Sequence, residues 1–228
     1  GVRLVGSEMC IRDRYSEGHL WSRFGMDLCM GSKADEPINR RLVMFVPFYM
    51  QEYFNKAQIV DKEGQTRPLV AKEEKIVITG KTPADFVSRG ITPMQSASLL
   101  LILVAGISIY GIRRGKTLWG IDLILFLVAG MAGCILAFLA LFSQHPAVSP
   151  NYILFVFHPF HLFCLPFMLS RVRKREISRY MLVNFAVLTL FIGLWAIIPQ
   201  RIPPAVLPLA LCLLIRSASN LILTYKRK

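Results

Sequence analysis

Five apolar stretches constrain this chain more than any other feature. They cover residues 93–112, 119–141, 152–169, 180–198 and 205–225. A helix needs about 20 apolar residues to cross the hydrocarbon core of a bilayer. Lipid offers no water to an unpaired backbone, so each stretch must satisfy its own N–H and C=O groups as helix. The pattern therefore predicts a bundle of five transmembrane helices. Thr92 before Pro93 reads as a cap with proline at the first helical position, and Pro203 and Pro204 precede the last stretch. Tyr110, Trp119, Tyr152, Tyr180, Trp195 and Tyr225 mark the ends, where amphipathic rings favour the interface.

The net charge of +13 first suggests nucleic acid, but its placement argues otherwise. Residues 1–90 hold 14 Lys and Arg against 12 Asp and Glu, whereas residues 91–228 hold 13 against 2. The cations thus crowd the most apolar part, where no soluble face could display them to a nucleic acid. "RRGK" (113–116), "RVRKREISR" (171–179) and "KRK" (226–228) carry eleven of them. The alternate loops, 143–151 and 199–204, carry only Arg201. Loops rich in Lys and Arg stay cytoplasmic. The expected orientation is a cytoplasmic C-terminus, with residues 15–90 on the other side, the periplasm in a bacterial inner membrane.

Two charges lie within the spans. Arg216 sits roughly 12 Å inside the end marked by Tyr225, by helical rise, and Asp122 opens the second span near the same face. A charge in lipid must be paired or snorkel to water, so an Arg216–Asp122 ion pair is expected. Further acidic residues are missing from the spans, and no inverted repeat is visible, which weakens a transporter reading. In the second span Ala129, Gly130, Gly133 and Cys134 form a small-residue face suited to close helix packing. In the third, Pro159 and Pro166 each remove a backbone donor and predict a kink.

"SQHPAVSPNYILFVFHPFHLF" (143–163) holds three of the four histidines. His145 and Asn151 lie at the outer mouth, where they suit a lipid headgroup, the preceding soluble segment, or ordering of the loop itself. His158 and His161 are expected on one face of the third helix, roughly 9 and 13 Å below Tyr152 by helical rise. They are open to the same headgroup or domain contact, to a hydrogen bond with a carbonyl freed by Pro159, or to a metal or haem. No carboxylate accompanies them, so neither metal nor cofactor is indicated.

Residues 15–90 are too few for a sizeable domain and read as the C-terminal remnant of a small α+β domain. "VPFYMQEYFNKAQI" (46–59) opens as a short helix, "AQIVDKEGQTRPLV" (57–70) as a hairpin around "DKEG", and "KIVITG" (75–80) as a strand; 81–92 links to the membrane. Cys134, Cys164 and Cys212 lie in apolar runs, where a thiol packs as a small hydrophobe. Cys29 is the thiol of the polar part. It suits a packed strand, or a nucleophile if a base such as His19 stands nearby. No CxxC or cysteine pairing is evident.

The opening "LVGSEMCIRDR" fits no element. It resembles the translation of a transposase adapter used in preparing sequencing libraries, so residues 1–14, Cys10 included, are expected to be an artefact and the chain a C-terminal fragment. "GMDLCMGSKADEPINRRLVMFVPFYMQEYFNKAQI" (25–59), "RPLV" (67–70) and "HPAVSPNYILFVFHPFHLF" (145–163), in this order before five spans, resemble the Lnb-like proteins of Bacteroidetes. The resemblance implies an inner-membrane protein whose periplasmic domain is related to papain-like cysteine enzymes and acts in lipoprotein N-acylation. It implies lipoproteins and phospholipid acyl donors as partners, beside the bilayer itself. The family's Asn-Cys-Ala-Thr-like motif and its histidine lie upstream of this pattern, so the resemblance places no catalytic residue here. The alternatives are a non-catalytic membrane scaffold for a periplasmic domain and a small transporter or redox protein.

Overall fold

A computed structural model describes residues 18–37, 47–74 and 90–226. The chain is mainly helical. Helix α1 (Leu20–Cys29) leads into a 3-10 turn, Ser32–Asp35. Helix α2 (Pro47–Lys56) precedes an antiparallel pair, β1 (Gln58–Val60) and β2 (Thr66–Pro68), in which Ile59 faces Arg67. Their turn closes where Asp61 Oδ1 accepts from the amides of Glu63 and Gln65, with Gly64 at φ +80°. The expected strand at 75–80, most of the 81–92 link, residues 1–17 and residues 227–228 lie outside the described residues.

The apolar part begins with α3 (Pro93–Arg114) and α4 (Trp119–Phe142). Thr92 and Gln95 form a capping box at the start of α3: Thr92 Oγ1 accepts from Gln95 N and Gln95 Oε1 from Thr92 N. This satisfies donors a helix start leaves open. The third segment is not the single kinked helix expected over 152–169. It comprises a 3-10 turn at Tyr152–Phe155, the short α5 (Phe160–Phe163), and α6 (Leu165–Lys174). Pro159 caps α5, and His158 lies before that helix rather than within it. The fourth consists of α7 (Arg179–Gly193) and a 3-10 turn, Trp195–Ile197; α8 (Val206–Tyr225) is the fifth.

Helices α3, α4 and α8 are each long and apolar enough to cross a membrane, whereas α6 and α7 meet at a bend of 108°. The chain nevertheless runs between two ends five times. At one end Arg175 of the 171–179 loop donates through Nη2 to Gly115 O, and Arg173 stacks over the Trp119 ring at 4.7 Å. Thr117 and Thr224 line one small recess there, so α8 finishes at the same end. At the opposite end Tyr152 N donates to Gln200, and Pro93 shares a groove with Pro203 and Pro204.

Helix α8 is the most buried and packs against α3 and α7. The core gathers Phe126, Ile153, Met168, Met181, Leu188 and Val206. Helices α3 and α4 turn Leu99, Ile102, Leu103, Ile124, Val128, Ile135 and Phe138 outward, each more than half exposed. An apolar surface of this extent is untenable in water and fits contact with acyl chains.

The broken third segment lies across α4 at Gly130 and Gly133. A Cβ on Gly133 would stand 2.5 Å from the His158 carbonyl carbon, and one on Gly130 would stand 2.6 Å from Leu162 N. Both obstacles are backbone and cannot swing aside. Gly133→Ala is therefore expected to cost about 1–3 kcal/mol through overpacking. Gly106→Ala, where a Cβ meets nothing within 4 Å, should be neutral or slightly stabilising. Thermal unfolding in a mild detergent measures the difference.

Candidate functional site

The end opposite the basic loops is where the segment preceding the spans meets the bundle. Helix α1 is amphipathic: Phe24 and Leu28 pack against the bundle core. Its start is held by Trp21, whose indole N–H donates to Ile91 O at 2.9 Å. Its end needs partners, because the last four carbonyls of a helix have none within it. Asn151 Nδ2 donates to Leu28 O, and Gln200 Nε2 to Met30 O, each at 2.8 Å. The two amides are themselves joined, Gln200 Nε2 donating to Asn151 Oδ1 at 3.3 Å, and both residues are buried. Their other oxygen contacts order the third segment: Gln200 Oε1 accepts from Tyr152 N and Asn151 Oδ1 from Ile153 N.

The backbone continues this junction. Gly31 N donates to Ala147 O and Ser32 N to Pro150 O, both at 2.8 Å. A Cβ on Gly31 would stand 2.5 Å from Pro150 O, so only glycine permits this approach. Asp35 Oδ2 accepts from Arg201 N at 2.7 Å. Asn151 thus contacts the segment preceding the spans. His145 instead orders its own loop: its Nδ1 accepts from Ala147 N at 3.2 Å, and the side chain is exposed.

Cys29 is not on a strand; it is the last residue of α1, half-buried against the core. Burial raises its thiol above the ordinary value of 9.0. His19 stands before the opposite end of the same helix, about 15 Å away by helical rise. The structure therefore does not bring these two together, and a thiol so placed is a weak nucleophile.

His158 and His161 do meet. Their rings stack at 3.8 Å between centroids, tilted by 19°. His161 is fully buried and uses both nitrogens: Nε2 donates to Val156 O at 2.9 Å, and Nδ1 accepts from the Tyr180 hydroxyl at 2.5 Å. The carbonyl partner assigns the proton to Nε2. No lone pair of His161 is left for a metal, and the contact joins the break after Phe155 to the start of α7.

Arg216 and Asp122, 1% and 0% exposed, form the most buried charged contact described. Arg216 Nε donates to Asp122 Oδ1 at 2.7 Å and Nη2 to Oδ2 at 3.0 Å, a bidentate arrangement. The remaining donors reach Ser108 Oγ on α3 and Thr117 O in the turn before α4. Asn220, one turn beyond Arg216 on α8, donates to Asp122 Oδ2 at 3.0 Å. One guanidinium therefore ties three long helices together. Beside it Asn184 of α7 donates to Ser217, which donates to Leu213 O.

Residues 85–228 match the family described as the Lnb transmembrane domain. The chain belongs to the Lnb family. No curated protein and no solved structure matches it. In this Lnb protein the matched region contains all five passes and the amides Asn151 and Gln200, while α1 lies before it. Sequence reasoning missed Gln200, Ser108, Asn220 and Trp21. Gln200 carried a signal, an amide in a proline-flanked turn between spans; Ser108 and Asn220 were signalled by polar side chains within apolar runs.

Removing one member of the buried pair strands the other. Asp122→Asn and Arg216→Gln should each destabilise the bundle by about 3–5 kcal/mol, and the double variant by less than their sum. Unfolding in detergent measures both, and strict additivity would refute the coupling. Because burial raises its thiol, Cys29 should be alkylated more slowly than free cysteine at pH 8. Its rate should climb only as the pH passes 9, as read by peptide mass spectrometry.

Proposed function

We propose that this chain is the membrane part of a lipoprotein N-acyltransferase of the bacterial inner membrane, holding a periplasmic catalytic domain at the outer leaflet. The observation that carries the reading is the junction at Asn151 and Gln200, where the bundle caps α1 at the end away from the basic loops. By the positive-inside rule those loops are cytoplasmic, so the junction and residues 15–90 are periplasmic.

Acyl transfer to a lipoprotein gives such an anchor a physical purpose. The acyl donor, a phospholipid, and the acceptor, a lipidated protein, both sit in the outer leaflet, so a catalytic group must be held at headgroup depth to meet them. The chemistry would be attack of a thiolate on the ester carbonyl, release of the lysolipid alcohol, and then attack of the acceptor amine on the thioester. The half-buried Cys29, distant from His19, is not proposed for that thiolate; we place the nucleophile outside the described residues.

The complete gene should restore lipoprotein N-acylation in a strain lacking it, as read by mass spectrometry of lipoprotein N-terminal peptides. Cys29→Ser should restore it fully. The Asn151→Ala, Gln200→Ala double variant should restore it weakly at equal abundance, because two helix carbonyls lose their donors. Failure of the unaltered gene would leave the scaffold reading, in which the same junction positions a non-catalytic domain.

A further inference from the structure

The bend between α6 and α7 borders an open cleft of about 1070 Å³ at the basic end of the bundle. Arg171 and Lys174 from α6 and Arg179 from α7 line it, with Glu176 as its acidic member. Arg171 and Glu176 pair at 2.5 Å, and the lining as a whole carries three cations against one carboxylate. Two other cations of the loop serve a different end: Arg175 donates to Gly115 O and Arg173 covers Trp119. Those contacts fasten the loop to the α3–α4 turn and fix where the cleft sits.

Phe167 and Met168 add apolar surface to the lining; Phe167 is 78% exposed, and Phe163, four residues earlier, is 66% exposed. The cleft thus joins a cationic rim to a surface that must face acyl chains. A soluble anion would use only the rim. A phospholipid with an anionic headgroup uses both, placing its phosphate among the cations and its chains along α6. The volume is that of a ligand site rather than of a packing defect.

We propose that this cleft binds an anionic phospholipid from the leaflet facing the basic loops. The site is separate from the junction at Asn151 and does not depend on the acyltransferase reading.

The test uses the full chain in bilayer nanodiscs containing spin-labelled phosphatidylglycerol or phosphatidylcholine, with electron paramagnetic resonance reporting the relative association of each. The unaltered protein should prefer phosphatidylglycerol several-fold, since each cation near the surface attracts an anionic lipid. The triple variant Arg171→Gln, Lys174→Gln, Arg179→Gln should return that preference close to one. A second triple, Arg113→Gln, Arg114→Gln, Lys116→Gln, removes equal charge at the same end outside the cleft and should change the preference by less than about twofold. Equal losses in the two triples would mean a diffuse surface field and overturn the proposal. So would displacement of the labelled lipid by millimolar inorganic phosphate, which would make the ligand a free anion. Should the first triple fail to fold, the unaltered protein decides alone: equal association of the two lipids overturns the site.

Discussion

The guanidinium of Arg216 is the point on which the bundle turns. A charge deep among apolar helices is tolerable only when paired and fully hydrogen-bonded. Here Asp122 supplies the countercharge, and Ser108, Thr117 and Asn220 supply the remaining partners. Between apolar helices in lipid there is no hydrophobic drive toward one arrangement. A polar network has far fewer acceptable geometries than a greasy surface, so it specifies which faces of α3, α4 and α8 meet. Residues 97, 104, 108 and 111, the buried positions of α3, share one stripe that includes Ser108.

The third segment solves a different problem. Its 3-10 turn and short helix leave backbone groups that lipid could not satisfy. They are shielded because Gly130 and Gly133 let the chain lie directly on α4, and because His161 donates to Val156 O where helical bonding is interrupted. The break also keeps Asn151 and Tyr152 at the mouth of the bundle, in register with Gln200. Irregular backbone, close packing and the junction with α1 are thus parts of one arrangement: straightening the segment would withdraw the amides that cap α1.

The two ends of the molecule have opposite chemistry. One is lined by cations that meet the Gly115 carbonyl and the Trp119 ring and border a cleft; the other is lined by amides and backbone that bind a helix terminus. This asymmetry separates the contacts of α1 from those of the basic loops.

The sequence by itself determined the five passes, the Thr92 cap of α3, the hairpin at 58–68 and the polarity of the ends, because each follows from local composition or short spacing. It also marked Arg216 and Asp122, since charges in apolar runs have few tolerable fates. It did not reveal that 152–169 is broken into separate pieces: prolines announce an interruption, but how far the chain departs from a helix depends on what neighbour can receive it. It misplaced Cys29 on a strand, because a ten-residue amphipathic helix acquires its stability from the surface that buries it. The partnership of Asn151 and Gln200 with α1 was decided only by tertiary structure. Their hydrogen bonds link positions more than a hundred residues apart, and no local pattern encodes which distant carbonyl an amide will find.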